Sequence, residues 1–388
     1  MKHLNNTIFL LLLLAAAGYS QTWLPPSTVG TTLTLNGVFF ADEQYGWAVG
    51  NSGSIYKSND GGFNWQPQTS GVSTALNACQ FVTAGKGWAV GDAGTILYTS
   101  NGGASWSSQT SGSTLKMQSV FMITPLTGWI VGQSGSVLFT NTGGNTWSTV
   151  NVSVTATLNT VYFKDFYNGY IGGTGGLLLK TTDGGNTWFS VNSGTTEDIN
   201  CINGEVAVCN HGVILQNNVA AGSWTIATSP TTVNLLSVYS SNNTNQCWAV
   251  GLNGTLLQRN SVNGWKLLTS PTSYHLNSIY FTTELSGWIV GGNGVVVKFQ
   301  NDVGLTENDK SISVSAFPNP LAAEVKIKLE SFSGAETGYT ITNNLGQAVL
   351  TGVANETVTT IDTQSLPTGI YFLSLTAYPK SAIKLIKN

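Results

Sequence analysis

A five-residue block recurs along the chain at an interval of about 41 residues, and no other feature constrains the fold as strongly. Six copies, rich in glycine and apolar residues, lie at 46–50, 87–91, 128–132, 169–173, 247–251 and 287–291. A degenerate copy at 205–209 divides the one interval that is nearly twice as long. Self-similarity at a fixed period is the sequence signature of a repeat architecture, so seven structural units are predicted.

A column of tryptophans repeats with the same period. Six of them close strings that contain one or two glycines: Trp65, Trp106, Trp147, Trp188, Trp224 and Trp265. No tryptophan follows the block at 287–291. The missing one stands at the other end of the chain, where Trp23 precedes Trp65 by 42 residues. The five-residue block and this tryptophan therefore each occur seven times. The chain starts with the tryptophan of one unit and has the block of that same unit near its other end, so the unit is split between the two.

Each unit has the pattern of four short strands separated by turn residues. In the second unit the strands are predicted at 78–82, 87–90 and 95–100, with a fourth that starts at Trp106. The connections between them are rich in glycine, asparagine and aspartate, as turns are. Four strands in about 40 residues is typical of a propeller blade, and radially arranged blades cover each other's faces.

The predicted fold of residues 21–303 is an all-β, seven-bladed β-propeller with four-stranded blades. The strand at Trp23 is predicted to be the outermost strand of the blade built from 277–299, which closes the ring. This places Trp23 beside residues 295–299. A linear solenoid is the alternative, but it requires atypical capping units and leaves strand edges exposed.

All 12 tryptophans belong to the repeat. Seven form the column that ends each unit, and five lie in the second strands: Trp47, Trp88, Trp129, Trp248 and Trp288. A residue type that recurs in every blade fills the space between neighbouring sheets. We therefore predict that the tryptophans pack between sheets rather than serve as sugar-stacking platforms.

Two units carry a longer motif around the second tryptophan column. Residues 181–188 and 58–65 resemble the Asp-box, or BNR, repeat S/T-x-D-x-G-x-T-W, and the second string departs from it only at Asn64. Its structural residues here are Ser58, Asp60, Gly62, Trp65, Thr181, Asp183, Gly185, Thr187 and Trp188. A short acid can accept backbone hydrogen bonds while glycines supply positive φ. The resemblance implies a turn between the third and fourth strands, on the side away from the functional face.

The whole unit resembles the secreted propellers of the photosystem II assembly-factor family over residues 21–303. Plant and cyanobacterial members are associated with assembly through an arginine-bearing patch, whereas this chain has one arginine, Arg259. Sialidases share the Asp-box but clamp a substrate carboxylate with three arginines. The sequence supports neither photosystem assembly through such a patch nor sialidase activity.

Residues 1–20 are predicted to be a secretory signal peptide. Lys2 and His3 precede the apolar run 8–17, and Gly18 and Ser20 offer small side chains at the two positions that a signal peptidase reads. The run is shorter than the roughly 20 residues of a membrane span. No transmembrane segment is expected, and the mature chain is predicted to begin near Gln21.

Residues 304–312 have the composition of a polar linker, and residues 313–388 follow a different pattern. The motifs Pro-Asn-Pro, Asn-x-Leu-Gly-Gln and Leu-Pro-x-Gly-x-Tyr precede a basic, apolar C-terminus. They resemble the type A C-terminal sorting domain of the type IX secretion system. The motif residues are Pro318, Asn319, Pro320, Gly346, Gly369, Tyr371, Lys384 and Lys387.

This second resemblance implies a small β-sandwich and the type IX machinery as a partner. It also implies a secreted or outer-membrane location in a Gram-negative bacterium. A fibronectin-like accessory domain is the alternative.

Export makes disulfides chemically feasible. The four cysteines are Cys79, Cys201, Cys209 and Cys247, which allow three full pairings. A predicted hairpin turn at Asn203-Gly204 sets Cys201 opposite Val206 rather than Cys209, so we predict unpaired thiols in the core. No Cys/His spacing indicates zinc, and no cofactor is expected.

The face opposite the Asp-boxes is the expected location of a binding site, because it carries the turns between second and third strands and the links between blades. Its candidate binding residues are Asp92, Lys116, Glu197, Asp198, His211, Tyr274 and His275. Glu197 and Asp198 are the one acidic pair there, and neighbouring strand residues point to opposite sides, which makes a poor acid–base dyad. His211 and His275 belong to different blades and have no evident paired carboxylate, so no metal site is predicted.

These observations favour a monomeric binding or scaffold propeller for a surface protein or glycan, without catalysis. Only 9% of the residues are charged, and acid–base chemistry needs titratable groups in positioned pairs. An Asp-box polysaccharide hydrolase and an assembly factor for an envelope complex are the alternatives. A net charge of −3 argues against nucleic acid as a partner.

Overall fold

The computed structural model describes residues 20–219, 222–241, 246–260, 264–302, 314–329, 337–343, 347–375 and 378–387. In these ranges the chain forms β-strands and single 3-10 turns, without an α-helix, and accordingly no helix that could span a membrane. The chain divides into two compact units, one of residues 21–301 and one that includes residues 302–388. The predicted linker 304–312 and residues 1–19 of the predicted signal peptide lie outside the described residues.

The first unit is a series of short antiparallel strands. They are β1 (Ser20–Trp23), β2 (Ser27–Thr28), β3 (Leu35–Phe40), β4 (Gly46–Gly50), β5 (Ile55–Ser58), β6 (Gln66–Gln68), β7 (Leu76–Phe81), β8 (Gly87–Gly91), β9 (Ile96–Thr99), β10 (Ser107–Ser108), β11 (Met117–Met122), β12 (Gly128–Gly132), β13 (Val137–Thr140), β14 (Ser148–Thr149), β15 (Leu158–Phe163), β16 (Gly169–Gly173), β17 (Leu178–Thr181), β18 (Phe189–Ser190), β19 (Ile199–Asn203), β20 (Val206–Cys209), β21 (Ile214–Asn218), β22 (Ser223–Ala227), β23 (Leu235–Ser240), β24 (Cys247–Gly251), β25 (Leu256–Asn260), β26 (Gly264–Leu268), β27 (Leu276–Thr283), β28 (Ser286–Gly291) and β29 (Val295–Asp302).

Among the described residues these strands form seven sheets. Six contain four consecutive strands each, from β3-β4-β5-β6 to β23-β24-β25-β26. The seventh has the order β1-β29-β28-β27, and β2 also pairs with β29. A 3-10 turn joins the second and third strands of every sheet: Asn51–Gly53, Asp92–Gly94, Gln133–Gly135, Thr174–Gly176, Asn210–Gly212, Leu252–Gly254 and Gly292–Gly294. This is the four-stranded blade pattern that the repeat predicts.

The N-terminal strand takes the outer position of the seventh sheet, as predicted from the unit that is split between the two ends of the chain. β1 pairs with β29, and the backbone N–H of Leu24 donates to the carbonyl of Lys298 at 2.9 Å. The ring of Trp23 lies 5.0 Å from that of Phe299. The prediction that Trp23 lies beside residues 295–299 is confirmed.

Aromatic rings fill the space between neighbouring sheets in a recurring three-ring arrangement. Trp288 in the last sheet stacks on Phe40 of the first at 3.5 Å, and Trp65 meets the same Phe40 edge-on at 5.7 Å. The same arrangement joins Trp47, Phe81 and Trp106, and again Trp129, Phe163 and Trp188.

The seventh sheet repeats this arrangement with the N-terminal tryptophan. Trp248 lies nearly parallel to Phe281 at 5.8 Å, and Trp23 meets Phe281 edge-on at 5.8 Å. Eight of the 12 tryptophans are buried and the other four are partly buried. The predicted packing role of the tryptophans is confirmed.

Asparagine side chains connect the innermost strands of adjacent sheets. Asn77 Nδ2 donates to the carbonyl of Met117 at 2.8 Å, and Asn277 Nδ2 joins the last sheet to the first through the carbonyl of Leu35, also at 2.8 Å. Asn36, Asn159 and Asn200 make the equivalent bond. A leucine, Leu236, stands at this position in the sixth sheet.

The same asparagine explains a difference from the predicted strand boundaries. In the second unit, the first strand starts at Leu76 rather than at residue 78. Asn77, a turn-favouring residue type, lies within a β-bulge between Leu76 and Ala78. Its backbone stays extended because its side chain is bonded to the next sheet. The fourth strand comprises Ser107–Ser108, just after Trp106.

The predicted register around Cys201 is wrong by two residues. Cys201 lies opposite Val208 rather than Val206, because the two residues between the paired Asn203 and Val206 are Gly204 and Glu205. Gly204 adopts the positive φ of 59° that this turn requires. All four thiols are free in the structure.

The second unit contains two sheets that share one core. Its strands are β30 (Val314–Phe317), β31 (Glu324–Leu329), β32 (Thr337–Asn343), β33 (Ala348–Ala354), β34 (Val358–Asp362), β35 (Gly369–Leu375) and β36 (Tyr378–Lys387). The sheet orders are β30-β31-β34 and β33-β32-β35-β36. Val325, Ile327 and Leu329 from one sheet pack with Ile341, Leu373 and Leu385 from the other, so the unit is a small β-sandwich.

Replacement of Trp23 by alanine is expected to lower the free energy of unfolding of the propeller by about 2–4 kcal/mol, because it removes a large ring from the core of the seventh sheet. The control Phe189→Ala removes an exposed ring from an outer strand and is expected to cost less than about 0.5 kcal/mol. Chemical denaturation followed by tryptophan fluorescence reports this unit alone, because every tryptophan lies within residues 21–301. Equal losses for the two variants would contradict the assignment.

Asn77→Leu is expected to lower the free energy of unfolding by about 1 kcal/mol, because it removes one hydrogen bond between sheets. Leu236 shows that this position accommodates leucine in another sheet. Asn77→Asp is expected to cost more at neutral pH, since it sets a carboxylate against the carbonyl of Met117 and beside Asp92. Denaturation of the three chains in parallel checks the order, and an aspartate variant as stable as the wild type would refute it.

Candidate functional site

The loops of the propeller form two sets, one at each end of the strands. At one end, the 3-10 turns contact the links that lead from one sheet into the next: Gly94 N–H donates to the carbonyl of Leu115 at 2.8 Å. At the other end, the Asp-box turns contact the first hairpins, as when Gly102 N–H donates to the carbonyl of Gly85 at 2.8 Å. We call these ends the turn-and-link face and the Asp-box face. All seven candidate binding residues belong to the turn-and-link face.

Asp92 and Lys116 form an ion pair across two sheets. Lys116 Nζ lies 3.5 Å from Asp92 Oδ1, and the same oxygen accepts a hydrogen bond from Asn77 Nδ2 at 3.0 Å. Both charged side chains are partly exposed, so the pair adds little to stability. The Asp92 carboxylate is nevertheless occupied by two partners.

Glu197 and Asp198 contact different partners. Glu197 Oε2 lies 2.7 Å from Nδ1 of His211, which donates when that nitrogen carries the proton. Asp198 Oδ1 accepts the backbone N–H of Gly175 in the preceding sheet at 2.8 Å, and its Oδ2 accepts from Asn210 Nδ2 at 3.2 Å. The two acids are therefore held apart in separate structural contacts and do not face each other.

Tyr274 and His275 are not brought together with the other candidates. His275 Nδ1 accepts the backbone N–H of Asn253 at 3.0 Å, which fixes it as an acceptor in a contact between two sheets. The side chain of Tyr274 is exposed, and its backbone N–H donates to Thr272 Oγ1 at 3.2 Å. Across the described ranges no group of three or more His, Cys, Asp or Glu side chains converges as a metal site would require.

Sequence reasoning missed a recurring hydrogen bond between neighbouring sheets. The residue just before the first strand accepts the backbone N–H at the centre of the preceding 3-10 turn in three places: Asp198 from Gly175, Asn234 from His211 and His275 from Asn253. When the repeat units are aligned with each other, the three acceptors fall at one position, directly before the first strand of each sheet. This shared position is the sequence signal for the contact. Asp198 and His275 are thus positioned by folding rather than by a ligand.

Shallow uncharged depressions recur between a 3-10 turn and the adjoining link. The depression beside Ala93 and Gly94, of about 640 Å³, is lined further by residues 109–114, which are glutamine, threonine, serine and glycine. An equivalent depression lies beside Thr174 and Gly175, and another beside Asn253 and Gly254. None of the three is lined by a charged side chain. Such surfaces offer hydrogen bonds and van der Waals contact but no acid, base or nucleophile.

The thiols do not supply a nucleophile. Burial raises the pKa of Cys79 to about 12, and burial together with the charges of Glu197 and Asp198 raises that of Cys209 to about 12. Burial also raises the pKa of Cys201 and Cys247. Reactive cysteines have lowered pKa values, so these four act as small core residues.

The Asp-box turns are held by their own side chains. Asp183 accepts the hydroxyl of Thr181 at 2.8 Å, the backbone N–H of Thr187 at 3.0 Å and the Thr187 hydroxyl at 2.6 Å. The Thr187 hydroxyl, the Thr187 backbone N–H and the Thr181 hydroxyl together lower the pKa of Asp183. Asp60 is bonded in the same way to Ser58 and to Asn64.

A glycine in the Asp-box leaves room for a tryptophan of the neighbouring sheet. Gly62 has φ of +87°, and a Cβ there would lie 2.5 Å from Nε1 of Trp288. Trp65 Nε1 donates to the carbonyl of Gly62 at 3.1 Å, and Trp288 Nε1 to that of Gly61 at 2.8 Å. The box therefore positions both tryptophans that contact Phe40.

In the second unit, the sorting-motif residues hold the last strand. Asn319 Nδ2 donates to the carbonyl of Lys384 at 2.7 Å, and its Oδ1 accepts the N–H of Ile386 at 2.9 Å. The Tyr371 hydroxyl donates to the carbonyl of Pro367 at 2.7 Å, and Lys387 Nζ donates to that of Ala322. Pro318 and Pro320 flank Asn319, and Gly369 begins β35, whereas Gly346 lies outside the described residues.

Blades of this kind, with their box turns and aromatic packing, define a β-propeller of the Asp-box class, followed by a sorting-type β-sandwich. Residues 16–118, 70–155 and 111–233 match the family of photosynthesis system II assembly factor YCF48. The overlapping matches together span residues 16–233, more than half of the 388 residues, and the chain belongs to this family. Residues 315–388 match the secretion system C-terminal sorting domain, which confirms the resemblance of the tail.

Solved structures with the same fold include two YCF48 propellers. "YCF48 bound to D1 peptide" is 20% identical, covers 72% of this chain and 95% of its own, and has a TM-score of 0.62. YCF48 from Cyanidioschyzon merolae is 19% identical, with 71% and 99% covered and a TM-score of 0.60. The WD40 β-propeller domain of Doa1 is 11% identical, with 75% and 100% covered and a TM-score of 0.58. No curated protein matches the chain significantly.

The lowered pKa of Asp183 predicts an acid-sensitive contribution to stability. A carboxyl whose pKa is lower in the folded state stabilises the fold above its unfolded pKa, and that contribution is lost as the pH falls below about 4, the ordinary pKa of an aspartate. The wild type is therefore expected to lose more stability below that pH than Asp183→Asn, which keeps the shape but does not titrate. Thermal melts at stepped pH compare the two, and parallel curves would contradict the prediction.

Proposed function

We propose that the chain is an exported, non-catalytic binding propeller whose turn-and-link face contacts a protein or a glycan. The observation that carries this proposal is the state of the carboxylates on that face. Asp92, Glu197 and Asp198 are each occupied by partners within the protein, and they belong to separate contacts. A glycoside hydrolase of the common two-carboxylate kind needs two carboxyl groups that face each other across the scissile bond.

The depressions of the turn-and-link face support recognition by neutral hydrogen bonding. Serine, threonine, asparagine and glutamine line them together with aliphatic residues such as Leu178 and Leu268, and backbone groups of the 3-10 turns add further donors and acceptors. Of the seven candidate residues, Tyr274 adds an exposed ring beside one depression, and Lys116 and His211 add donors. One propeller of the same fold is described as bound to a peptide, which supports a protein segment among the ligands.

The export route forms the second part of the proposal. Residues 1–20 act as a signal peptide that is removed before Gln21, residues 21–303 form a monomeric seven-bladed ring, and 304–312 link it to the tail. Residues 313–388 bring the chain to the type IX machinery, and through it to the surface of a Gram-negative cell. The match of residues 315–388 to a secretion sorting domain supports this route.

Membership of the YCF48 family favours a second candidate function. Residues 16–233 match a family described as an assembly factor, so the ligand of the turn-and-link face is in this case a subunit of an envelope complex. The single arginine of the chain sets it apart from a role through a basic patch. Assembly and display both require the same binding face, and both are non-catalytic.

A glycan array and a panel of envelope proteins, probed with the full chain, are expected to show binding without hydrolysis. The variant Thr110→Arg/Asn192→Arg/Ser273→Arg places long charged side chains in three depressions and is expected to weaken binding about tenfold or more. Leu126→Arg, on an exposed hairpin of the Asp-box face, is the control and is expected to bind normally. Hydrolysis that is lost in Glu197→Gln or Asp92→Asn would overturn the proposal in favour of an enzyme.

A further inference from the structure

The outer face of one sheet in the C-terminal unit is apolar where solvent is expected. Ile370 and Phe372 on β35 and Ile386 on β36 are exposed by 44%, 40% and 37%. Ile370 pairs directly with Ile386 across the two strands, and Phe372 pairs with Lys384. We call these three side chains the β35–β36 patch.

The other sheet of the same unit also exposes apolar side chains, but there Phe317 pairs with Lys326 and Val358 pairs with Lys328, so each lies beside a charged residue. Along β31, the exposed residues Glu324, Lys326 and Lys328 alternate with buried apolar ones. A sheet with one face in water normally shows this alternation of polar and apolar residues. The β35–β36 patch departs from it at adjacent positions, and contiguous exposed apolar surface marks an interaction site.

Asn319, Tyr371 and Lys387 of the sorting motif use their side-chain polar groups within the domain. The side-chain amide of Asn319 is used on the backbone of Lys384 and Ile386, and the Tyr371 hydroxyl on Pro367. The two Asn319 contacts join segments that lie more than 60 residues apart in the chain, so they hold the folded domain together. A receptor is therefore expected to contact the outer surface of the folded domain, which the motif residues stabilise.

We propose that the β35–β36 patch is the surface by which the folded C-terminal unit docks on a protein component of the export machinery. This inference rests on the export route of the proposed function. The charges indicate the chemistry of the receptor, because β36 contains Lys380, Lys384 and Lys387 and neither strand contains an acidic residue. The receptor is expected to present an apolar surface bordered by carboxylates, so that it covers the patch and pairs with Lys384 at its edge.

The test expresses the full chain in a host with type IX machinery and measures the fraction that reaches the cell surface or medium. Ile370→Thr/Phe372→Thr removes the apolar surface and keeps residue types that suit strands. Glu324→Thr/Lys326→Thr is the matched control on the other sheet. The patch variant is expected to lower the exported fraction about tenfold or more, as loss of central apolar anchors does in protein interfaces, and the control to export normally.

Thermal unfolding and protease resistance of the purified chains separate docking from folding. Unchanged unfolding of the patch variant together with its retention in the periplasm supports the proposal. If the patch variant unfolds early, Ile386→Lys, which adds a charge at an exposed position, replaces it under the same criterion. Normal export of a folded patch variant overturns the proposal, as does equal retention of the control.

Deletion of residues 313–388 distinguishes the two levels of inference. If the deleted chain stays in the periplasm while folded patch variants are exported, the route holds and the patch assignment fails. If the deleted chain is exported normally, the route itself fails. Binding by the turn-and-link face is measured separately and depends on neither result.

Discussion

The fold depends on the packing of one sheet's tryptophan against an aromatic ring of the next sheet. A four-stranded sheet of this size cannot bury both faces by itself, so each blade is completed by its neighbours. The stacked pair of Trp288 and Phe40, at 3.5 Å, joins the last sheet to the first in the same way that Trp47 and Phe81 join the first to the second. Trp23 supplies the edge-on ring that the sequence of the seventh unit lacks. The N-terminal strand is in this way part of the packing between the last sheets of the unit.

This packing explains why the composition is so uneven. The second strands are buried along their whole length and are built from glycine, tryptophan and aliphatic residues. The Asp-box turn must let a neighbouring indole approach closely, which is why glycine stands at Gly62. The turns and links where strands end are rich in polar residues. The two ends of the propeller therefore carry its chemistry, and most charged groups found there hold turns and sheets together, as Asp183 and Asp198 do.

The repeat period predicted the architecture because every unit needs the same residues at the same places. The seven tryptophans that close the units, the strand count and the position of Trp23 all follow from that requirement. The start of the strand at Leu76 and the register at Cys201 did not follow from the repeat. Asn77 lies in a bulge and is bonded to a neighbouring sheet, and Gly204 forms a turn that depends on local backbone geometry. The contacts of Glu197 with His211 and of His275 with Asn253 join residues that are 14 and 22 positions apart. Their residue types indicated chemistry, but only the fold shows which group each one meets.

Both units separate the residues that identify the chain from those that can meet a partner. Asp60, Gly62 and Trp65 belong to the motif that identifies the propeller, and each of them forms a turn or packs between sheets. Asn319 and Tyr371 belong to the motifs that identify the tail, and the side chain of each donates a hydrogen bond to the backbone of its own domain. A residue that every copy of a fold requires cannot also distinguish one partner from another. Selectivity must therefore reside in positions that the fold leaves open, such as the linings of the uncharged depressions and the outward side chains Ile370 and Phe372, and these are the positions where similarity to other propellers and other tails carries the least information.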